Sequence, residues 1–283
     1  MNQSHLSQIT WQSHLRALLA VAKKDFLYFV RYPLNAIFRV LQPIIWLTPI
    51  YFLGQSFATA QGNVGFAAYA GTGDYMSFIL VGAMLSSYIS SVFWGMGQSL
   101  KEEMDSGVLE SNWLTPVPRF SFLIGHTGAN IFVTTLVNMG ILLLGWLFFG
   151  FTISGSLLQA LAVVAPLLLA LYGFGFAFAA AVFLMRDANT LIDVSDYLVS
   201  IFSGGQFPVQ VLPRFLLPIS LALPITYGLD AVRGLLINTR TLLPIGNEIA
   251  IMLVFMGVMM PLGYFVFKRV EQRVKRLGTI GMH

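Results

Sequence analysis

Long apolar stretches separated by short polar segments dominate the chain and predict six membrane-spanning helices. Each stretch can supply the approximately 20 apolar residues that a helix needs to cross a bilayer. The predicted spans are Asn35 to Phe57, Tyr75 to Leu100, Thr127 to Phe149, Leu157 to Met185, Ala188 to Gln206 and Asn247 to Phe267. We therefore expect an all-α integral membrane fold with one transmembrane domain over residues 1–283.

The stretch from Ser203 to Asp230 is equally apolar but contains four prolines, so it cannot form one regular spanning helix. These prolines are Pro208, Pro213, Pro218 and Pro224. Broken backbone at membrane depth is tolerated where it is buried in protein or lines a wet cavity. We expect residues 207–230 to form a re-entrant helical hairpin before the last span, beside a pathway through the membrane.

The segment before the first span predicts an amphipathic helix within residues 1–33. Its apolar side chains recur every three or four residues and share one helical face: Trp11, Leu15, Leu18, Ala22, Phe26 and Phe29. Basic side chains lie off that face, and Pro33 closes the pattern. We expect a helix on the cytoplasmic membrane surface, which serves as an anchor or also docks a cytoplasmic partner.

Composition and charge agree with a membrane protein and predict its orientation. Hydrophobic residues make up 57% of the chain and charged residues 10%, and the mean hydropathy is +0.76. With both termini in the cytoplasm, all but three of the 16 Lys and Arg residues lie on the inner side, as the positive-inside rule requires. The exceptions are Arg214, Arg233 and Arg240. Membrane topology thus accounts for the net charge of +4 without a nucleic-acid partner. Residues 268–283 are predicted to form a basic cytoplasmic tail.

Several chemistries lack their sequence signatures. The chain has no cysteine, and its four histidines are scattered without metal-ligand spacing. It has no P-loop and none of the motifs of intramembrane enzymes, so we predict no catalytic, cofactor or metal site. Ser203 to Gln206 spells the core of the signature of ABC ATPases, but no Walker sequence precedes it. We interpret its glycines as a turn at the end of the fifth span.

Residues 101–125, between the second and third spans, are predicted to form an acidic cytoplasmic loop. Leu109, Trp113 and Leu114 suit a short amphipathic helix, which Thr115-Pro116 would end. The acids of the loop are Glu102, Glu103, Asp105 and Glu110. A solvated connector is the alternative, since runs of charge usually face water.

Two motifs stand in a fixed order, one in this loop and one in the proline-rich segment. The loop motif comprises Glu103, Gly107, Leu109, Glu110, Thr115, Pro116 and Arg119. The second motif comprises Gly204, Gly205, Phe207, Pro208, Leu212-Pro213, Pro224, Thr226 and Tyr227. With both motifs at these places in the topology, the chain resembles the membrane subunits of ABC-2 type exporters, in particular the daunorubicin-resistance-type drug and lipid exporters, over nearly its whole length.

The resemblance implies a function and a set of partners. The loop would be a coupling helix that contacts a separate cytoplasmic ABC ATPase, present in two copies and carrying the ATP and magnesium, while the second motif would form an external gate. Two copies of the chain, or the chain and a similar permease, would export an amphipathic drug-like molecule or lipid across the plasma or inner membrane. Export of a lipid-linked polysaccharide or glycolipid is the alternative. An ion-gradient-driven secondary transporter is the alternative from another class, although such proteins more often have two broken helices at matching positions.

Two groups of polar residues are candidates for the substrate pathway. Hydroxyl groups at Ser86, Ser87, Ser90 and Ser91 form two adjacent strips on the second span, where they line a cavity or act as small packing residues. Asp193 and Asp196 lie one turn apart early in the fifth span. They form a cytoplasmic entrance for cationic or polar head groups, or remain in the wet interface.

Overall fold

The computed structural model describes residues 11–58, 63–105, 119–182 and 188–277, and these ranges are helical apart from short connections and contain no strand. The helices are α1 (Trp11–Arg31), α2 (Pro33–Ser56), α3 (Val64–Ala70), α4 (Tyr75–Asp105), α5 (Arg119–Phe149), α6 (Leu157–Val182), α7 (Ala188–Phe202), α8 (Leu217–Ala222), α9 (Pro224–Ile237) and α10 (Ile245–Leu277). A short 3₁₀ turn at Val209–Val211 lies between α7 and α8.

Five of the described helices are long and apolar enough to cross a membrane: α2, α4, α5, α6 and α10. They correspond to five of the six predicted spans. The predicted fifth span corresponds to α7, which has 15 residues. A helix of that length rises about 22 Å, less than the hydrocarbon thickness of about 30 Å. The count of six spans therefore stays a prediction.

The helices next to the predicted cytoplasmic loop and tail continue into these segments. Lys101 to Asp105 belong to α4, and Arg119 to Gly125 belong to α5. The remaining residues of the predicted loop, 106–118, lie outside the described residues. Likewise, α10 continues through residues 268–277 of the predicted basic tail.

Close packing around α6 forms the centre of the bundle. A Cβ atom on Gly173 would lie 2.6 Å from the Met259 carbonyl carbon, and one on Gly263 would lie 2.0 Å from the Gly173 oxygen. The backbones of α6 and α10 thus approach each other at glycines. On the opposite side of α6, Phe93 of α4 packs edge-on against Phe178, with ring centroids 4.7 Å apart. Gly173 is therefore a packing residue between α6 and its neighbour α10.

The N-terminal segment forms the helix α1, which packs along α5; its place on the membrane surface stays a prediction. The Phe26 and Phe132 rings meet edge to face, with centroids 5.8 Å apart. Elsewhere on the bundle, large apolar side chains such as Trp46 of α2 and Trp146 of α5 are well exposed. Broad apolar surfaces of this kind suit contact with lipid hydrocarbon or with another membrane chain.

Candidate functional site

One face of α4 meets α7 and the turn that follows it. Positions 78, 82, 86, 90 and 94 recur every four residues, so they form a continuous row that winds gradually around α4. The Phe78 carbonyl is bonded by Arg233, which also bonds the turn, and Gly82 lies directly against the turn at Gly205. The three positions further along α4 are polar or amphipathic. We call the contact formed by Ser86, Ser90 and Trp94 of α4 with Asp196 and Ser200 of α7 the polar seam.

Hydrogen bonds join the two helices along the polar seam. The Ser90 hydroxyl donates to Oδ1 of Asp196 over 2.9 Å, and the Trp94 side chain is a further hydrogen-bond partner of that carboxylate. One turn away, the Ser200 hydroxyl donates to Oγ of Ser86 over 3.4 Å. Asp196 is partly buried in this contact, whereas Asp193 is exposed. The structure therefore brings two of the predicted serines together with one of the two predicted aspartates.

The other two predicted serines do not contact α7 through hydrogen bonds. Ser87 turns toward α5, where its hydroxyl donates to Oδ1 of Asn138 over 2.9 Å and to the Met84 carbonyl over 2.6 Å. The Asn138 amide in turn donates to the Met84 oxygen over 3.1 Å. The Ser91 hydroxyl is buried and has no hydrogen-bond partner among the described residues. For Ser87 the geometry favours an interhelical contact over a cavity lining.

A buried arginine closes one end of the polar seam. Arg233 of α9 is only 2% exposed, and its guanidinium donates to three backbone carbonyls. Nη1 bonds the Gly204 oxygen and Nη2 the Gly205 oxygen, both at 2.6 Å, while Nε bonds the Phe78 oxygen at 3.2 Å. The guanidinium carbon also lies 3.6 Å from the centroid of the Phe78 ring, a cation–π contact. Arg233 therefore joins α9, α4 and the turn after α7.

The charge of Arg233 is balanced from its own helix. Burial lowers the pKa of Arg233 to about 9, and the nearby Asp230 carboxylate opposes that shift, so the guanidinium remains charged at neutral pH. Asp230 also accepts the Leu242 backbone N–H over 2.5 Å. The next amide, of Leu243, donates to Oε1 of the buried Glu248 side chain over 3.1 Å. Two consecutive amides thus bind the loop after α9 to both α9 and α10.

Glycines at the contact allow the backbones to approach Arg233. Gly204 has a φ of +79°, which a side chain would disfavour, and it turns the chain just after α7. A Cβ atom on Gly82 would lie 1.8 Å from the Gly205 oxygen and 2.0 Å from Nη2 of Arg233. Only glycine fits at position 82 in this arrangement. The predicted turn at these glycines is present directly after α7.

The rest of the predicted external gate forms two short helices with a break between them. Pro224 begins α9 after an extended residue, Leu223, that separates it from α8. The Thr226 hydroxyl donates to the Ser220 oxygen over 2.7 Å, and the Tyr227 hydroxyl donates to the Leu221 oxygen over 2.9 Å. These bonds satisfy carbonyls at the end of α8. Phe207 and Pro208 follow the glycine turn, whereas Pro213 lies on the exposed surface.

The predicted ATPase-coupling residues fall mostly beyond what the structure describes. Glu103 lies near the end of α4, and Arg119 is the first residue of α5. The others, Gly107, Leu109, Glu110, Thr115 and Pro116, lie outside the described residues. Their proposed role stays a prediction.

Arg233 and Gly82 are the residues of this site that the sequence analysis missed. Arg233 appeared there only as one of three basic residues outside the cytoplasm. The available signal was its position within an apolar 14-residue helix, three residues after Asp230. A charge pair at this spacing on such a helix is costly unless it is buried with partners. In the described part of the chain, no group of three or more His, Asp or Glu side chains could hold a metal ion.

These features define a multi-pass helical membrane protein. Residues 16–237 match the family described as ABC-2 type transporter. Because the match covers more than half of the chain, the protein belongs to this family. Among curated proteins, no sequence matches the chain. The matched residues include the polar seam and Arg233, and the match ends at Ile237, the last residue of α9.

Family membership establishes the coarse function. The chain is the transmembrane domain of an ABC transporter and acts as its permease. Permeases of this family generally work with an ATP-binding subunit. This agrees with the lack of a P-loop in the sequence.

Proposed function

We propose that this chain is the membrane subunit of an ATP-driven exporter that moves an amphipathic drug-like molecule or lipid out of the cytoplasm or the inner leaflet. The observation that carries the proposal is the match to ABC-2 type transporters over residues 16–237. The motif order in the loop and in the proline-rich segment supports the direction of transport, because it resembles that of exporters.

The chemistry of the polar seam supports the substrate class. Its polar groups are neutral hydroxyls, one indole and one carboxylate, at Asp196, and they lie between otherwise apolar helices. Such a surface suits a molecule with an apolar body and a polar or cationic head. Export of a lipid-linked polysaccharide or glycolipid is the alternative that the experiment below distinguishes.

The proposed assembly contains two permeases and two ATPases. Two copies of this chain, or this chain and a similar one, enclose the pathway, with α7 and the turn after it counted as the fifth of six spans. Both termini lie in the cytoplasm of a cell whose plasma or inner membrane holds the complex. The segment Gly107 to Arg119 couples ATP-driven closure of the ATPases to the permeases, and residues 207–230 form the external gate.

The test begins with the complex purified from native membranes in mild detergent and reconstituted into proteoliposomes. Vanadate-sensitive ATP hydrolysis is measured together with transport of two probes, a fluorescent phospholipid and a cationic amphipathic dye. We expect ATP-dependent transport of at least one probe. Transport that requires an ion gradient and proceeds without ATP would instead identify a secondary transporter, and transport of neither probe would favour the glycan alternative.

Charge reversal in the coupling segment tests the ATPase contact. We expect Glu110→Arg to lower transport per ATP hydrolysed, because the contact that transmits closure is disturbed while the membrane domain is not. Asp105→Arg is the matched control, since it makes the same charge change at the end of α4 and lies outside the motif. Equal transport by Glu110→Arg and the unmodified protein would contradict the coupling role.

A further inference from the structure

Arg233 is a charged residue buried inside the helical bundle, and the positive-inside rule does not explain why it lies there. A buried guanidinium is costly to desolvate, and this one is 2% exposed. Its three hydrogen bonds reach carbonyls on two other parts of the chain, on α4 and in the turn after α7. Bonds from a charged donor are stronger than neutral ones. Arg233 is therefore the strongest polar link described between α9 and the polar seam.

We propose that Arg233 is a releasable latch. Its hydrogen bonds to the Gly204 and Gly205 oxygens hold the turn after α7 against α4, and these bonds break when the external gate opens. This inference rests on the proposed function, because it assigns a moving part to the proposed export cycle. In it Arg233 is a positioning residue: it touches the backbone of the gate, and no contact with substrate is needed.

The arrangement of charges allows the latch to release. Asp230 and Arg233 lie three residues apart on the same helix, so their side chains lie on the same side of α9 and move with it. The partners on the other side are backbone carbonyls without a net charge. When α9 moves away from α7, the guanidinium keeps its counterion, and the carbonyls left behind can bond water. An ion pair across the contact would instead leave two unpaired charges.

The backbone around α9 provides places where it can move. Leu223 is extended and separates α9 from α8, and Asn238, with a φ of 54°, ends α9. Gly82 and Gly205 present bare backbone to each other where the latch closes. The next contact along the polar seam, between Ser86 and Ser200, is a longer bond of 3.4 Å between two neutral hydroxyls. Release of Arg233 would therefore remove the main barrier to separation of α4 and α7 at this end.

The natural lack of cysteine allows a direct test by thiol labelling. Ser203 lies in the latched turn and is 1% exposed. In Ser203→Cys, we expect a water-soluble maleimide to react slowly without nucleotide and at least about tenfold faster after trapping with ATP and vanadate, because loss of charge-assisted bonds shifts the opening equilibrium by such a factor. The complex with its ATPase is labelled in lipid nanodiscs, where both faces are accessible.

Arg233→Lys, combined with Ser203→Cys, tests whether the forked guanidinium holds the latch. A lysine keeps the charge but cannot bond three carbonyls in the same fork, so we expect fast labelling without nucleotide. Ala170→Cys in the same background reports unfolding, since Ala170 lies in the core of α6 at 3% exposure. Gln206→Cys, at an exposed position, gives the labelling rate of an open site.

Two results would overturn the latch. Slow labelling of Ser203→Cys in every nucleotide state, while ATP hydrolysis and transport proceed, would make Arg233 a permanent structural contact and leave the proposed function intact. Slow labelling in Arg233→Lys, with Ala170→Cys still protected, would show that the guanidinium does not hold the turn.

If Arg233→Lys unfolds the protein, Ala170→Cys also reacts, and the nucleotide experiment on unmodified Arg233 decides. Absence of ATP hydrolysis would refute the proposed function separately, and the nucleotide-free comparison would still test the latch.

Discussion

Gly82 lies where α4 passes the turn after α7, and its missing side chain makes room for Arg233. In Gly82→Ala the added methyl group would overlap the Gly205 oxygen and Nη2 of Arg233. Both neighbours are fixed, one as backbone and the other by three hydrogen bonds. We expect a loss of about 1–3 kcal/mol in the free energy of unfolding, the usual cost of overpacking, measured as a lower midpoint of thermal denaturation in mild detergent.

Gly257→Ala is the matched control for that substitution. Gly257 lies in α10 with no atom near enough to contact a new methyl group. Alanine is the better helix former by about 0.5–1 kcal/mol. We expect this variant to be as stable as the unmodified protein or more so. An equal loss in both variants would contradict the close approach at Gly82.

Single residues also show where sequence reasoning reaches its limit. The starts of α4 at Tyr75 and of α6 at Leu157 coincide with the predicted spans, because the length of an apolar stretch is a local property. The partners of Arg233 are backbone carbonyls 28, 29 and 155 residues away. Every residue has such a carbonyl, so no residue type marks the partner.

At the scale of elements, the contact between α4 and α7 depends on which face each polar residue occupies. Ser86 and Ser87 are neighbours in sequence, yet one meets α7 and the other meets α5. Their spacing predicted two polar strips, and the strips could be assigned only once the neighbouring helices were placed. The same holds for the aspartates, of which Asp196 lies at the contact and Asp193 is exposed.

This difference between the aspartates gives a matched pair of variants. We expect Asp196→Asn to reduce transport of a cationic dye several-fold, because it removes the one carboxylate of the polar seam. Asparagine can still accept the Ser90 hydroxyl, so the fold should be retained. Asp193→Asn should transport at the rate of the unmodified protein. Undiminished transport by Asp196→Asn in proteoliposomes would remove this carboxylate from the pathway.

At the scale of the whole molecule, the proposed export requires groups of helices to move relative to one another. The Oγ atoms of Ser86 and Ser200 are 3.4 Å apart. Cysteines at these positions would form a disulfide when their sulfur atoms approach to about 2 Å. Because the chain has no other cysteine, the double variant Ser86→Cys, Ser200→Cys can form only this bond within the chain. We expect oxidation to stop transport by locking α4 to α7, and reduction to restore it.

The single variants provide the controls for this lock. Neither can form the bond, so oxidant should leave their transport unchanged, and non-reducing mass spectrometry of the double variant should show the linked peptides. Full transport by a protein whose disulfide is confirmed would mean that α4 and α7 move as one body. The pathway would then have to open elsewhere, between this chain and its partner.

The short helix α7 has a consequence for the surrounding bilayer. As the core of the proposed fifth span, α7 rises about 22 Å, about 8 Å less than an average hydrocarbon layer. Hydrophobic mismatch of this kind is met by thinning the adjacent lipid, at a cost of a fraction of a kcal/mol per ångström. We expect the rate of transport in proteoliposomes to fall as the acyl chains of the host lipid are lengthened. Membrane thickness, a property of the host lipid and outside the amino-acid sequence, would then help to set how fast the protein works.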